Sequence, residues 1–268
     1  MPTVRLGAID LYFETHGPED GPGGPPLLCL AGLASDSQSW LPVIPALSAR
    51  RRLILPDNRA SGRTRRHDQP VTLEAMAGDA VALLDHLGLE RVDVLGHSMG
   101  GFLAMLVARD HPDRVGRLVL AGSSAAPSPR NKALFADMLA LRLSGADREL
   151  WWRLFFHWLF RPAFFQDDAA VREAARLAIA YPHAQSDADF ATQLAAATSR
   201  RSLSGIEAIR AETLILCGGR DLLFRPEESI ASLSVIPGAR PAILPEAAHS
   251  LHWDDPAGFA AAVLDFLG

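Results

Sequence analysis

Cysteine is scarce: two in 268 residues, Cys29 in PPLLCLAG and Cys217 in ETLILCGG. Both lie in apolar runs that read as buried strands, where a thiol behaves as a small core residue. A disulfide framework is therefore not what holds this chain together. No Cys/His group has the spacing of a metal site, so no metal and no other cofactor is expected. Positive charge is in deficit, with 26 Lys and Arg against 31 Asp and Glu and a net charge of −5. That balance argues against a nucleic-acid or anionic-membrane partner. The opening MPTVRLGAIDLYFE has no apolar signal core. The most apolar short segment, LWWRLFFHWLF (Leu150 to Phe160), is broken by Arg153 and His157 and is too short to span a bilayer. A cytoplasmic location follows by default. Internal repeats and low-complexity linkers are missing too, and GPEDGPGGPP (Gly17 to Pro26) reads as a surface turn.

What is present is alternation. VRLGAIDLYFETHG has the pattern of a hairpin. PPLLCL, RRLILP, RVDVLG, RVGRLVLAG, ETLILCGG and ARPAILP are short apolar runs, suited to strands buried on both faces of a parallel sheet. Between them TLEAMAGDAVALLDHLGL, MGGFLAMLVARDHP and DPAGFAAAVLDFLG carry helical spacing, with stop and start signals at Gly88, Pro112 and Asp255–Pro256. The class is α/β, with helices on both faces of the sheet. From about Ala125 to Ser204 the rhythm changes to four helix-like stretches with no strand, which reads as a helical insertion between two late strands.

Glycine clusters at one point. In VDVLGHSMGGFLAMLVARDHP, Gly96, Gly100 and Gly101 fall within six residues around Ser98. The run before Ser98 is a strand and the run after it a helix, so the serine sits in a tight turn at the carboxyl edge of the sheet. The pattern Gly-x-Ser-x-Gly is that of a nucleophile elbow. A serine that merely caps a helix after a glycine-rich turn would give the same short pattern.

A serine hydroxyl needs a base to act as a nucleophile. His249 lies just past the last strand, at the same edge, and is the candidate. His252, three residues on, is its nearest rival. His97 is locked beside Ser98 and points away by strand alternation. His16, His67, His86, His111, His157 and His183 lie on other segments. The orienting carboxylate should follow another strand, and Asp221 does so in ETLILCGGRDLLF. Asp254 and Asp255 read as helix-start residues. The order Ser98, Asp221, His249 is the one expected of a strand–turn–helix nucleophile in this setting. Two backbone donors should face the oxyanion: the N–H of Met99, at a helix N-terminus, and that of Leu33, after the glycine of AGLASDSQSW.

With these residues in place the chain resembles the α/β-hydrolase superfamily along nearly its whole length. LAGLASDSQSW, PDNRASGRT, GHSMGG and GGRD with AAHSLHWDDP carry the likeness. The resemblance implies a mostly parallel eight-stranded sheet flanked by helices. It implies a core of residues 1–124 and 205–268 and a helical cap of residues 125–204. WLFRPAFFQ and DNR look most like the small-molecule esterase and enol-lactonase branch. The chain departs from the family at Ala31, where His is usual, and at Ala60 and Ala248, where Gly is usual. None of these changes removes a catalytic atom.

Trp151, Trp152 and Trp158 fall within eight residues, among Phe155, Phe156, Phe160, Phe164 and Phe165. Rings of this cluster pack a small cap, and Trp152, Phe156 and Trp158 are candidates to line a cavity above Ser98. Arg153 and Arg161 are candidates for holding a substrate carboxylate or for surface charge. The expected activity is a serine hydrolase of small, largely apolar esters or lactones, working through an acyl-enzyme. Cleavage of a carbon–carbon bond in diketone ring-fission products is the alternative on the same fold. A slow or non-catalytic ligand receptor is another. A monomer or homodimer is expected.

Overall fold

The structure, a computed structural model, describes residues 3–19, 24–66, 68–199 and 203–268. Part of the Gly17–Pro26 turn, His67 and the end of the helical insertion thus lie outside the described residues. β1 (Thr3–Leu6) and β2 (Ile9–His16) form the expected antiparallel hairpin. Six strands follow: β3 (Leu27–Leu30), β4 (Leu53–Pro56), β5 (Val92–His97), β6 (Val115–Ala121), β7 (Glu212–Gly218) and β8 (Arg240–Leu244). All join one eight-stranded sheet in the order β1-β2-β4-β3-β5-β6-β7-β8. β2 meets β4 antiparallel, and the pairings from β4 to β8 are parallel.

The helices are α1 (Ile44–Ser48), α2 (Leu73–His86), α3 (Met99–Asp110), α4 (Pro129–Leu143), α5 (Arg148–Leu159), α6 (Asp168–Ala180), α7 (Asp187–Thr198), α8 (Pro226–Leu233), α9 (Leu251–Asp254) and α10 (Pro256–Leu267). Strand alternation divides the core into two layers. Leu28 and Leu30 point into one, with Leu83 of α2 and Leu103 of α3; Leu27 and Cys29 point into the other, with Trp40 and Phe259. β8 departs from the expectation of burial on both faces. It is the outermost strand, with a neighbour on one side only, and Ile243 is 47% exposed. Both cysteines are free and buried, and burial raises their thiols, that of Cys217 to about 12. No described helix is long and apolar enough to cross a membrane.

Helices α4 to α7 run consecutively between β6 and β7. They carry small apolar clusters of their own: Met138, Trp151, Phe155 and Phe190 in one, Phe156, Val171 and Ala175 in another. The sheet order locates the site. The chain leaves β3 toward β4 on one side, while β5 lies on the other side of β3. The loops after β3 and β5 therefore diverge, and such switch points are where open α/β sheets hold ligands. Leu33 follows β3, and Ser98 follows β5.

Candidate active site

β5 ends at His97 and α3 begins at Met99, so Ser98 alone makes the turn. Its φ of 55° and ψ of −118° are strained for a residue with a side chain. Hydrogen bonds hold it there: its N–H donates to the Ala121 carbonyl at 2.9 Å, and its carbonyl accepts from Gly101 N–H at 2.9 Å and Ser123 Oγ at 3.0 Å. The glycines answer to close approach. A Cβ on Gly96 would lie 2.2 Å from the Gly100 carbonyl oxygen, and one on Gly100 would lie 1.9 Å from that of Leu30. The Ser98 hydroxyl makes no cap bond to α3, so the helix-capping reading of this serine does not hold.

Asp221 lies just past β7 and is buried. Its Oδ1 accepts from the backbone N–H groups of Leu223 at 2.7 Å and Phe224 at 2.9 Å. Its Oδ2 lies 2.9 Å from His249 Nδ1, and both side chains are shut from solvent. An ionised carboxylate only accepts, so Nδ1 carries the proton and Nε2 is left with its lone pair in the neutral ring. No hydrogen bond joins the Ser98 hydroxyl to the His249 ring in this structure. The two segments meet through backbone: His97, next to Ser98, places its Nε2 2.8 Å from the His249 carbonyl oxygen.

His252, the rival base, faces elsewhere. Its ring packs against Trp40 with centroids 5.1 Å apart. Burial first, and the neighbouring His249 second, push its pKa down to about 3. His97 is also held well below the ordinary imidazole value, by burial and then by His252 and His249.

The acid pair after His249 divides its labour. Asp255 caps α10 as expected, accepting from Gly258 N–H at 2.9 Å. Asp254 does not start a helix. It closes α9, is buried, and accepts from Ala248 N–H at 2.7 Å and Arg161 N–H at 3.1 Å. It fixes the residue before His249, and burial raises its pKa. Two adjacent acids before a proline do not announce in sequence which one turns inward.

Ser98, Met99 and Leu33 line one cavity of about 320 Å³, together with Phe102, Phe135 and Phe224. α4 and α7 supply the facing wall. Met99 opens α3, so its N–H has no partner within the helix. No described acceptor takes the Leu33 N–H. The loop after β3 is tied down on both sides of Leu33. Asn58 Nδ2 donates to the Ala31 carbonyl at 3.0 Å, and Ala34, at φ 60°, donates its N–H to Gln193 Oε1 at 3.0 Å. Gln193, fully buried on α7, also donates to the Arg59 carbonyl at 3.0 Å. Sequence reading missed this residue. Its sign is a polar side chain on the same helical face as Phe190, Leu194 and Ala197.

The aromatic candidates are not at the serine. Trp152 and Phe156 line a separate cavity of about 1110 Å³ that does not include Ser98. Trp158 lines neither; it packs on the main core, with the Arg130 guanidinium 5.7 Å from its ring. The reason is helix pairing: α5 turns Trp152 and Phe156 toward α6 and Phe164. Arg153 is engaged with Asp168 at 3.1 Å, and Arg161 lines the larger cavity.

Residues 25–256 match the family of the alpha/beta hydrolase fold, and the chain belongs to that family; it is a hydrolase. RutD of Caulobacter sp. (strain K31), provisionally named a carbamate hydrolase, is 32% identical over 98% of each chain. An esterase from Thermogutta terrifontis superposes with a TM-score of 0.83 at 28% identity, over 99% of this chain and 96% of the other. The enol-lactonase of Burkholderia xenovorans LB400 superposes with a TM-score of 0.86 over 99% of both chains; at 23% identity, that likeness is one of fold.

Proposed function

We propose that the chain hydrolyses carboxylic esters or lactones of small, largely apolar substrates through an acyl-enzyme, with Ser98, His249 and Asp221 as the catalytic residues. The observation that carries the reading is the buried His249 Nδ1–Asp221 Oδ2 contact of 2.9 Å on a loop braced against the Ser98 turn. As substrate binds, His249 Nε2 closes on the Ser98 hydroxyl; general-base contacts of this kind tighten at that stage. Ser98 Oγ attacks the carbonyl carbon while His249 takes its proton. The oxyanion is met by the N–H groups of Leu33 and Met99, aided by the positive end of α3. His249 returns the proton to the leaving alkoxide, and the acyl group stays on Ser98. Water, deprotonated by His249, then releases the acid and restores the hydroxyl. Asp221 holds the ring and stabilises its charged form.

A carbamate is the second reading, favoured by the 32% identity to RutD over 98% of the chain. The same residues would then carry a carbamoyl group. A fluorophosphonate probe tests the nucleophile: it should label the wild type and not Ser98→Ala, and equal labelling would refute the assignment. Turnover of p-nitrophenyl esters, lactones and aryl carbamates side by side separates the two readings.

A further inference from the structure

We infer that Lys132 makes this hydrolase selective for substrates that carry an anionic group, of carboxylate chemistry, distal to the bond being cleaved. The inference rests on the reading of Ser98 as the nucleophile and names the class of substrate that its cavity takes.

Lys132 is the only lysine in the sequence, all other basic residues being arginine. It stands on α4, exposed to solvent, and lines the same cavity as Ser98. That lining is otherwise apolar or neutral: Leu33, Phe102, Phe135 and Phe224, with Ser128, Asn131 and Thr198 among the polar groups. No described Asp or Glu belongs to it, although acids outnumber bases along the chain. Among the described residues the cavity thus has a single cation and no anion, an arrangement that attracts negative charge.

Lys132 does nothing else the structure records. Its ammonium forms no ion pair among the described residues. Its neighbour Arg130, by contrast, donates to the Leu222 carbonyl and to Asn131 Oδ1. Nor does Lys132 serve its helix. It falls in the first turn of α4, where no acid is present to balance it and where the dipole disfavours a cation. A lone ammonium against the helix dipole, lining a largely apolar cavity that also holds the candidate nucleophile, complements a substrate with an apolar body and an anionic end. The arginines considered from sequence, Arg153 and Arg161, do not line this cavity.

The test compares mono-p-nitrophenyl esters of glutaric to suberic acid with p-nitrophenyl esters of fatty acids of equal length. The quantity read is the ratio of kcat/KM, anionic over neutral. The wild type should favour the anionic ester at one or more chain lengths, mainly through KM, and added salt should shrink the preference. In K132Q the ratio should fall about tenfold, the size of a charge-assisted contact, and K132R should keep most of it. Because the side chain is unique, wild-type protein gives a second measurement. Acetylating the amine, which removes the charge, should lower the ratio; methylating it, which keeps the charge, should not. An unchanged ratio in K132Q and after acetylation would overturn the inference. Retained turnover of both ester classes in Ser98→Ala would instead overturn the reading it rests on.

Discussion

The Nε2 of His97 lies 2.8 Å from the carbonyl oxygen of His249. A carbonyl can only accept, so His97 carries its proton on Nε2. Burial and its two neighbouring imidazoles keep the ring neutral. The residue before the candidate nucleophile thus braces the backbone of the candidate base. His97→Phe removes the donor and leaves a buried carbonyl bare, a cost of about 1–3 kcal/mol. His97→Gln, which can still donate, should lose less in urea unfolding and retain more hydrolase activity. Equal losses in the two variants would show that the donor is not what matters.

The imidazole cluster also sets a pH dependence. Burial holds His97 and His252 below the ordinary imidazole value, His252 down to about 3. Between those values and the ordinary one, the unfolded chain binds protons that the folded chain does not. Stability therefore rises with pH through this window and falls on acidification below about pH 6.5. By pH 5 the loss from His252 should reach about 2 kcal/mol, and His97 acts in the same direction. Asp57, Asp93 and Asp254 are raised by burial and oppose this trend, since they bind protons more tightly when folded. The comparison of wild type with His252→Gln isolates one ring. Urea unfolding at pH 7 and pH 5 should show a smaller acid loss in the variant, and parallel losses would contradict the assignment.

Two glycines should respond in opposite directions to the same change. Gly100→Ala drives a Cβ to 1.9 Å from the Leu30 carbonyl oxygen, backbone against backbone with nothing to yield. The elbow should not form, with a loss beyond about 4 kcal/mol or no folded protein. Gly78 lies inside α2 with nothing within 4 Å of its virtual Cβ. Gly78→Ala should raise stability by about 0.8–1 kcal/mol, and thermal unfolding of the two variants reads both outcomes.

The contrast explains what was legible in the sequence. Gly96 and Gly100 mark the Ser98 turn because their absence of side chains is a steric necessity, and necessity leaves a pattern. Asp221 and His249 stand out as candidates because each follows an apolar run that pairs in a parallel sheet. The rings were misplaced because helical periodicity says that Trp152 and Phe156 share a face, not which neighbour that face meets. Lys132 and Gln193 escaped for another reason. Each stands singly on a helix between β6 and β7; Gln193 gains meaning only from its bonds to the loops after β3 and β4, and Lys132 only from the cavity it lines with Ser98. Asp254 and Asp255 stand side by side, and their roles divide only once α9 turns one of them inward.

That division gives the sharpest test of how the His249 loop is held. Asp254 accepts from Ala248 N–H at 2.7 Å and from Arg161 N–H at 3.1 Å, joining the His249 segment to the end of α5. Asp254→Ala leaves the buried Ala248 N–H without its acceptor, at about 1–3 kcal/mol, and frees the half-buried Arg161 N–H as well. His249 then loses the support of its preceding residue while its contact with Asp221 stays chemically intact. Hydrolase kcat should fall about tenfold, with KM little changed, because a base slightly out of place costs the chemical step more than binding. Asp255→Ala should instead shift only stability, by about 1 kcal/mol, through the lost cap of α10. Asp254→Asn keeps an acceptor oxygen and should recover most of the rate. If Asp255→Ala lowered kcat as much as Asp254→Ala does, the loss would reflect general loosening of the C-terminal segment, and the specific role of Asp254 would be refuted.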